Sequence, residues 1–163
     1  MLKYITAMLG AVALVVIAPH AQAQELKDPE KVAYMQKLLT HVQNDMGRQI
    51  DRKTYDRIAH ENQEFNEASE AFEKVLDNES PALKKKADAA LKKAVAAGQA
   101  VTDKSSTNDD AVLRSLHEKM IKDVVALDAL FPASMRPDPK FMFQPGERAK
   151  TAGAAPAAAP AAK

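Results

Sequence analysis

Residues 28–46 read DPEKVAYMQKLLTHVQNDM. Asp28 is a carboxylate placed to cap a helix, Pro29 suits the first helical position, and Glu30 adds an acid to the first turn. Val32, Met35, Leu39, Val42 and Met46 then recur at alternating steps of three and four, with Leu38 widening the stripe. That spacing lays one apolar face along a helix. Gly47 weakens it, and the polar stretch from Arg48 to Lys53 is expected to end or bend it.

The same grammar repeats along the chain. Tyr55, Ile58, Phe65, Ala68, Phe72, Val75 and Leu76 form a second stripe, in which Ile58, Phe65 and Phe72 sit seven apart in coiled-coil fashion. Asp77-Asn78-Glu79 closes it, and Ser80-Pro81 opens a third helix with a serine cap and a proline at the first position. The third helix is rich in alanine, and its narrow apolar face implies close packing or partial exposure. Lys104 to Asn108 reads as a loop. Asn108-Asp109-Asp110 starts a fourth helix with acid at the positive end of its dipole. Leu113, Leu116, Met120, Val124, Leu127 and Phe131 follow, and Pro132 stops it. No stretch alternates as a strand would. The expected fold is all-α: an antiparallel four-helix bundle, with a three-helix bundle containing one long bent helix as the alternative.

The ends of the chain differ from its middle. Lys3 precedes an apolar run from Tyr4 to Ala18, then Pro19-His20, then the small residues of Ala21-Gln22-Ala23. This is the layout of a secretory signal, with cleavage expected after Ala23. The run of about 15 residues falls short of the roughly 20 that cross a bilayer as a helix. A periplasmic or secreted location follows, with no stable membrane insertion after processing. The expected organisation is a signal peptide at 1–23, a bundle domain at 24–131 and a Pro/Ala-rich flexible tail at 132–163. The tail holds six prolines and ends in TAGAAPAAAPAAK, a composition that cannot repay its ordering entropy by burial. Within it Phe141-Met142-Phe143 is a dense apolar cluster. It either folds back over one end of the bundle or serves as a partner-docking motif.

With no cysteine, the chain has no disulfide, lipobox anchor, thiolate metal site, covalent haem or thiol catalysis. Loss of Lys3 leaves 22 basic and 22 acidic side chains, which lacks the basic field a nucleic-acid binder needs. The balance is uneven locally: residues 51–80 hold nine acids and four bases, residues 81–105 six bases and two acids. Helices two and three are therefore expected to pair along their edges, and either the acidic helix or Lys84-Lys85-Lys86 offers itself to a partner.

Chemistry has few places to reside. His41, His60 and His117 fall near one end of an up-down-up-down bundle, with Met46 and Met120 nearby. Imidazole and thioether together suit copper or haem iron. On a helical wheel His60 points away from its core face and His41 lies off the centre of its own, whereas His117 flanks the core. His117, Met120 and Met46 are thus the weak candidates for a cofactor, and His41 and His117 for a metal. Exported four-helix bundles that hold haem, the cytochrome b562 and cytochrome c-prime families, are similar to this chain in length, export and architecture. The c-prime attachment motif needs cysteine. The b562 pattern pairs an early methionine in the first helix, a place Met35 fits, with a late histidine in the last, whereas His117 is early. The ligand pair therefore does not transfer. A di-iron Glu-X-X-His pattern is also missing, because Leu38, Arg57 and Arg114 stand where glutamates are required. Glu61, Glu64, Glu67, Glu70 and Glu73 recur every three residues and drift around the helix as a solvated face. No catalytic motif is recognisable, and no cofactor is expected. The sequence reads as a non-enzymatic exported bundle that binds a protein partner in the cell envelope, as adaptor, chaperone or accessory subunit, itself a monomer or weak homodimer. The alternatives are a haem- or metal-binding carrier and a structural envelope component with a reaching Ala/Pro arm.

Overall fold

The computed structural model describes residues 25–138. The expected signal segment lies outside the described residues, as does the stretch containing Phe141, Met142 and Phe143.

Four helices form an antiparallel bundle: α1 (Pro29–Arg52), α2 (Ile58–Leu76), α3 (Pro81–Ser105) and α4 (Asp110–Asp128). Each begins or ends for a reason visible in the chain. The Asp28 carboxylate accepts the Lys31 N–H at the start of α1. Ser80 Oγ accepts the Leu83 N–H at the start of α3. Asp109 accepts the N–H groups of Ala111 and Val112 at the start of α4, each at 3.1 Å. Such caps satisfy donors that a helix leaves orphaned in its first turn and contribute about 1 kcal/mol each.

The end of α1 falls inside the polar stretch from Arg48 to Lys53 that was expected to close it. The helix passes straight through Gly47 and stops only at Arg52, where Lys53 adopts a left-handed conformation (φ 58°). A mid-helix glycine costs about 1 kcal/mol, less than is gained by burying Ile50 in the core. Gln49 fixes the turn that follows: Thr54 Oγ1 donates to its Oε1 at 2.6 Å, and its Nε2 donates to Glu61 of α2 at 2.7 Å. A single 3-10 turn, Tyr55–Arg57, leads into α2. This sharp break makes two helices where a long bent one was the alternative. At the other boundaries, α3 runs on to Ser105, inside the expected loop, and α4 ends at Asp128, ahead of Phe131.

Each helix packs on the next, and α1 closes the ring against α4. The core is continuous, with Leu39, Met46, Phe65, Phe72, Leu91 and Leu127 essentially inaccessible. Phe72 of α2 meets Phe131, beyond the end of α4, with ring centroids 5.7 Å apart. The alanine-rich face of α3 is a close-packing face. A Cβ built on Gly98 would lie 2.6 Å from Asn62 Oδ1 of α2 and 3.2 Å from Met120 Cε of α4. After Pro132 a second 3-10 turn, Ala133–Met135, packs against α1. Arg136 then folds back, its guanidinium donating to the carbonyls of Ala129 and Phe131 just past the end of α4.

The expected edge pairing of α2 and α3 is largely missing. Among the described residues, Lys84–Asp77 is the ion pair that links the end of α2 to α3, at 3.1 Å. Glu64 and Glu67 turn to their own helix, paired with His60 and Gln63, while Glu61 accepts from Gln49 of α1. The run at every third residue spreads them around α2 instead of lining the edge shared with α3.

Candidate functional site

The distinctive part of the bundle is the seam between α1 and α4. Gln36, Thr40, Gln43 and Gly47 recur on α1 at steps of four, three and four, beside the apolar stripe, and all are buried. Across the seam α4 presents Arg114, His117 and Asp128. Because the helices run antiparallel, the partners descend in order: Arg114 pairs with Asp51, His117 with Gln43, and Asp128 with Gln36.

At the lower rung, Gln36 Nε2 donates to Asp128 Oδ1 at 2.9 Å. Asp128 is 5% exposed. Burial pushes its pKa up to about 6, against the opposing pull of the Gln36 hydrogen bond and the Arg136 charge. At the middle rung His117 is 2% exposed. Its Nε2 lies 2.8 Å from the Gln43 carbonyl and 3.0 Å from the Gln43 side-chain amide. An imidazole N–H at Nε2 donates to the carbonyl. It is then best met by the amide turned to present Oε1, an atom otherwise buried without a partner. Burial holds the imidazole below its ordinary pKa, while the Gln43 carbonyl bond and the charges of Asp51 and Glu118 oppose this, and Arg114 adds to it. At the upper rung Arg114 also bonds Asp110 at 2.9 Å. That contact lowers the Asp110 pKa and raises that of Arg114. Tyr55 reaches the same carboxylate at 3.4 Å.

The three histidines of the described residues have different fates. His41 and His60 stand exposed on α1 and α2, each beside a carboxylate one turn on, Asp45 and Glu64, at 3.2 Å. Among these three, His117 alone enters the interior. Met46 and Met120 are both fully buried, but Met120 carries its thioether towards Gly98 of α3, while His117 turns to Gln43 of α1. The structure therefore does not bring His117 and Met120 to a common point. Among the described residues no group of three or more histidines and carboxylates is arranged to hold a metal ion, and no helix is long and apolar enough to cross a membrane. The docking candidates Phe141, Met142 and Phe143 lie outside the described residues.

The helix-stripe reading missed the polar half of the seam. Gln36, Thr40 and Gln43 carry the same three-and-four periodicity as the apolar residues, displaced around the helix. That displaced polar stripe was the available signal. It also missed Glu79, a buried carboxylate in the α2–α3 link, which accepts the backbone N–H groups of Lys27 and Asp28 at 3.1–3.3 Å. This bond ties the lead-in of α1 to the α2–α3 link.

Fold and seam together define an all-α four-helix bundle whose first and last helices meet through a buried polar ladder. Comparison with protein-family models, with curated proteins and with solved structures finds no match to this chain.

Proposed function

We propose that the chain is exported, is processed after Ala23, and acts as a non-enzymatic helical-bundle protein that binds a protein partner in the cell envelope, as an adaptor, chaperone or accessory subunit. The observation that carries this reading is the outward display of opposite charge on neighbouring helices. Glu67 and Glu70 on α2 and Lys85, Lys86, Lys92 and Lys93 on α3 are exposed, and among the described residues no ion pair joins the two sets. Exposed charge left uncompensated within the molecule steers association with a partner of complementary pattern and sets its salt dependence.

The test is affinity capture from the periplasm with the processed chain, a charge-reversed variant (Glu67→Lys with Glu70→Lys) and a chain lacking residues 132–163. The expected result is one reproducible partner, released by raised salt and recovered at least tenfold less with the reversed α2. Equal recovery by all three proteins, or an unprocessed precursor in the cytosol, would overturn the proposal.

A further inference from the structure

The four helices form a ring with one unjoined side. Links at 53–57, 77–80 and 106–109 connect α1 to α2, α2 to α3 and α3 to α4, whereas no link crosses from α1 to α4. The α1–α4 contact is also the smallest of the four seams, and the two most extensive lie within the pairs α1–α2 and α3–α4. α1 is fastened at both ends away from α4. Gln49 donates to Glu61 of α2 at one end. At the other, Glu79 in the α2–α3 link accepts the N–H groups of Lys27 and Asp28. Closing the α1–α4 seam strips water from Asp128 and His117, and from Gln36 Oε1 and Thr40 Oγ1, two buried oxygens without a hydrogen-bond partner among the described residues. Desolvation left uncompensated in this way is returned when the seam meets water. The α2–α3 seam also buries an unpaired oxygen, Asn62 Oδ1, but the link at 77–80 and the Asp77–Lys84 pair hold it together.

We propose that the bundle opens as two hairpins, α1–α2 and α3–α4, which part along the α1–α4 seam and pivot on the α2–α3 link while all four helices stay intact. Three rungs have to break together: Arg114–Asp51, His117–Gln43 and Gln36–Asp128. Each leaves groups that water or a neighbour takes up. Arg114 keeps its bond to Asp110, one turn away on its own helix, after Asp51 is released. Asp128 gives up an amide bond and regains the hydration that a buried carboxylate lacks. The 3-10 turn Ala133–Met135 has to leave α1, where it packs now. Against these losses stand the contacts that the movement preserves: Gln49 with Glu61, Glu79 with the lead-in of α1, and Met120 against Gly98 between α4 and α3. Sub-global opening of this kind takes place where the fewest apolar contacts are lost and buried polar groups are gained by solvent. The parted hairpins bare the apolar stripes around Leu39 and Met46 on α1 and Val124 on α4, all buried in the closed bundle. The movement belongs to the chain alone and does not depend on the partner reading.

The absence of cysteine lets single thiols report the movement. Thr40→Cys on α1 and Val124→Cys on α4, each close in size to the residue replaced, face the seam from its two sides. Val124 stands between His117 and Asp128 on the α4 wheel. Ser69→Cys is buried on α2. It lies seven residues on from Asn62, which bonds Gln99 of α3, so it sits at the pivot and stays covered unless the whole bundle unfolds. Labelling of each thiol by a maleimide is timed at pH 7 in the otherwise unchanged chain. Positions 40 and 124 are expected to label at rates within about threefold of each other, and at least about tenfold faster than position 69. Asp128→Asn keeps an acceptor for Gln36 and removes the charge that closure desolvates. It should slow both seam positions at least about fivefold. A single rate at all three positions would mean unfolding of the entire bundle and overturns the proposal. So does fast labelling on one side of the seam with slow labelling on the other, which is the loosening of one helix. Seam rates that ignore Asp128→Asn overturn it as well.

Discussion

Asp128 shows how much one buried carboxyl can cost. Folded, it keeps its proton up to a pH of about 6; unfolded, it releases it near 3.8. Its protonated form favours the fold below the lower value, and that contribution disappears as pH rises through the window and is absent above it. A shift of this size corresponds to roughly 3 kcal/mol at 1.36 kcal/mol per unit, an upper bound for a group that Gln36 still bonds. Asp128→Asn keeps an acceptor for Gln36 and removes the charge. Urea unfolding at pH 7 is expected to show the variant more stable by about 1–3 kcal/mol, with little difference from the parent at pH 4. Gly98→Ala tests packing at the same scale. It gains about 1 kcal/mol of helix propensity but drives a methyl to 2.6 Å from Asn62 Oδ1, and moving that amide strains its bond to Gln99. Overpacking costs about 1–3 kcal/mol, so a net loss is expected. Adding Asn62→Ala opens the space, and a double-mutant cycle should show coupling of at least about 0.5 kcal/mol. Single residues were unevenly legible. His117 could be placed at the core edge because it falls three residues before Met120, whereas Asp128 follows Leu127 directly and carries no sign in the sequence that it turns inward.

Helix starts were far easier to read than helix ends. Asp28-Pro29, Ser80-Pro81 and Asp109 announce themselves because a cap is a local bond between a side chain and a backbone N–H three residues away or fewer. The end of α1 lies inside the polar stretch 48–53 where the sequence put it, but its exact residue is decided at a distance, by the burial of Ile50 and by Gln49 reaching Glu61, which carry the helix past Gly47. The chain stops instead at Lys53, which has a side chain where the left-handed backbone favours none. Lys53→Gly should therefore stabilise the bundle by about 0.5–1 kcal/mol, visible as a rise in Tm, since its side chain makes no hydrogen bond or ion pair among the described residues that the change would remove. The pairing of α2 with α3 failed as an expectation for an equally physical reason. Opposite net charge on two helices says nothing about which way the side chains point, and the glutamates at every third position are spread around α2 rather than gathered on the shared edge.

Taken as a whole, the bundle carries two buried titratable groups of opposite sense in one seam, and their effects meet in the same range of pH. His117 is held below its ordinary pKa of 6.5. As pH falls through that value the unfolded chain takes up a proton that the folded chain refuses, so acidification costs stability. Asp128 does the reverse, favouring the fold as pH falls from about 6 towards 3.8. Below about pH 6, where the two windows overlap, the slopes oppose, and the parent protein should show a flattened stability profile there. Below that range Asp110, whose pKa Arg114 lowers, begins to protonate, and the fold should weaken as this ion pair is lost. Asp128→Asn removes one of the two opposing slopes. Its stability should then fall as pH drops below 6.5, while that of His117→Gln, which keeps a donor for the Gln43 carbonyl, should fall as pH rises from about 4 to 6. Urea midpoints measured at half-unit steps decide the matter. If all three proteins stay parallel across that range, the seam is hydrated enough to leave both groups near their ordinary values, and the buried ladder between α1 and α4 is not the feature that sets the molecule's response to its surroundings.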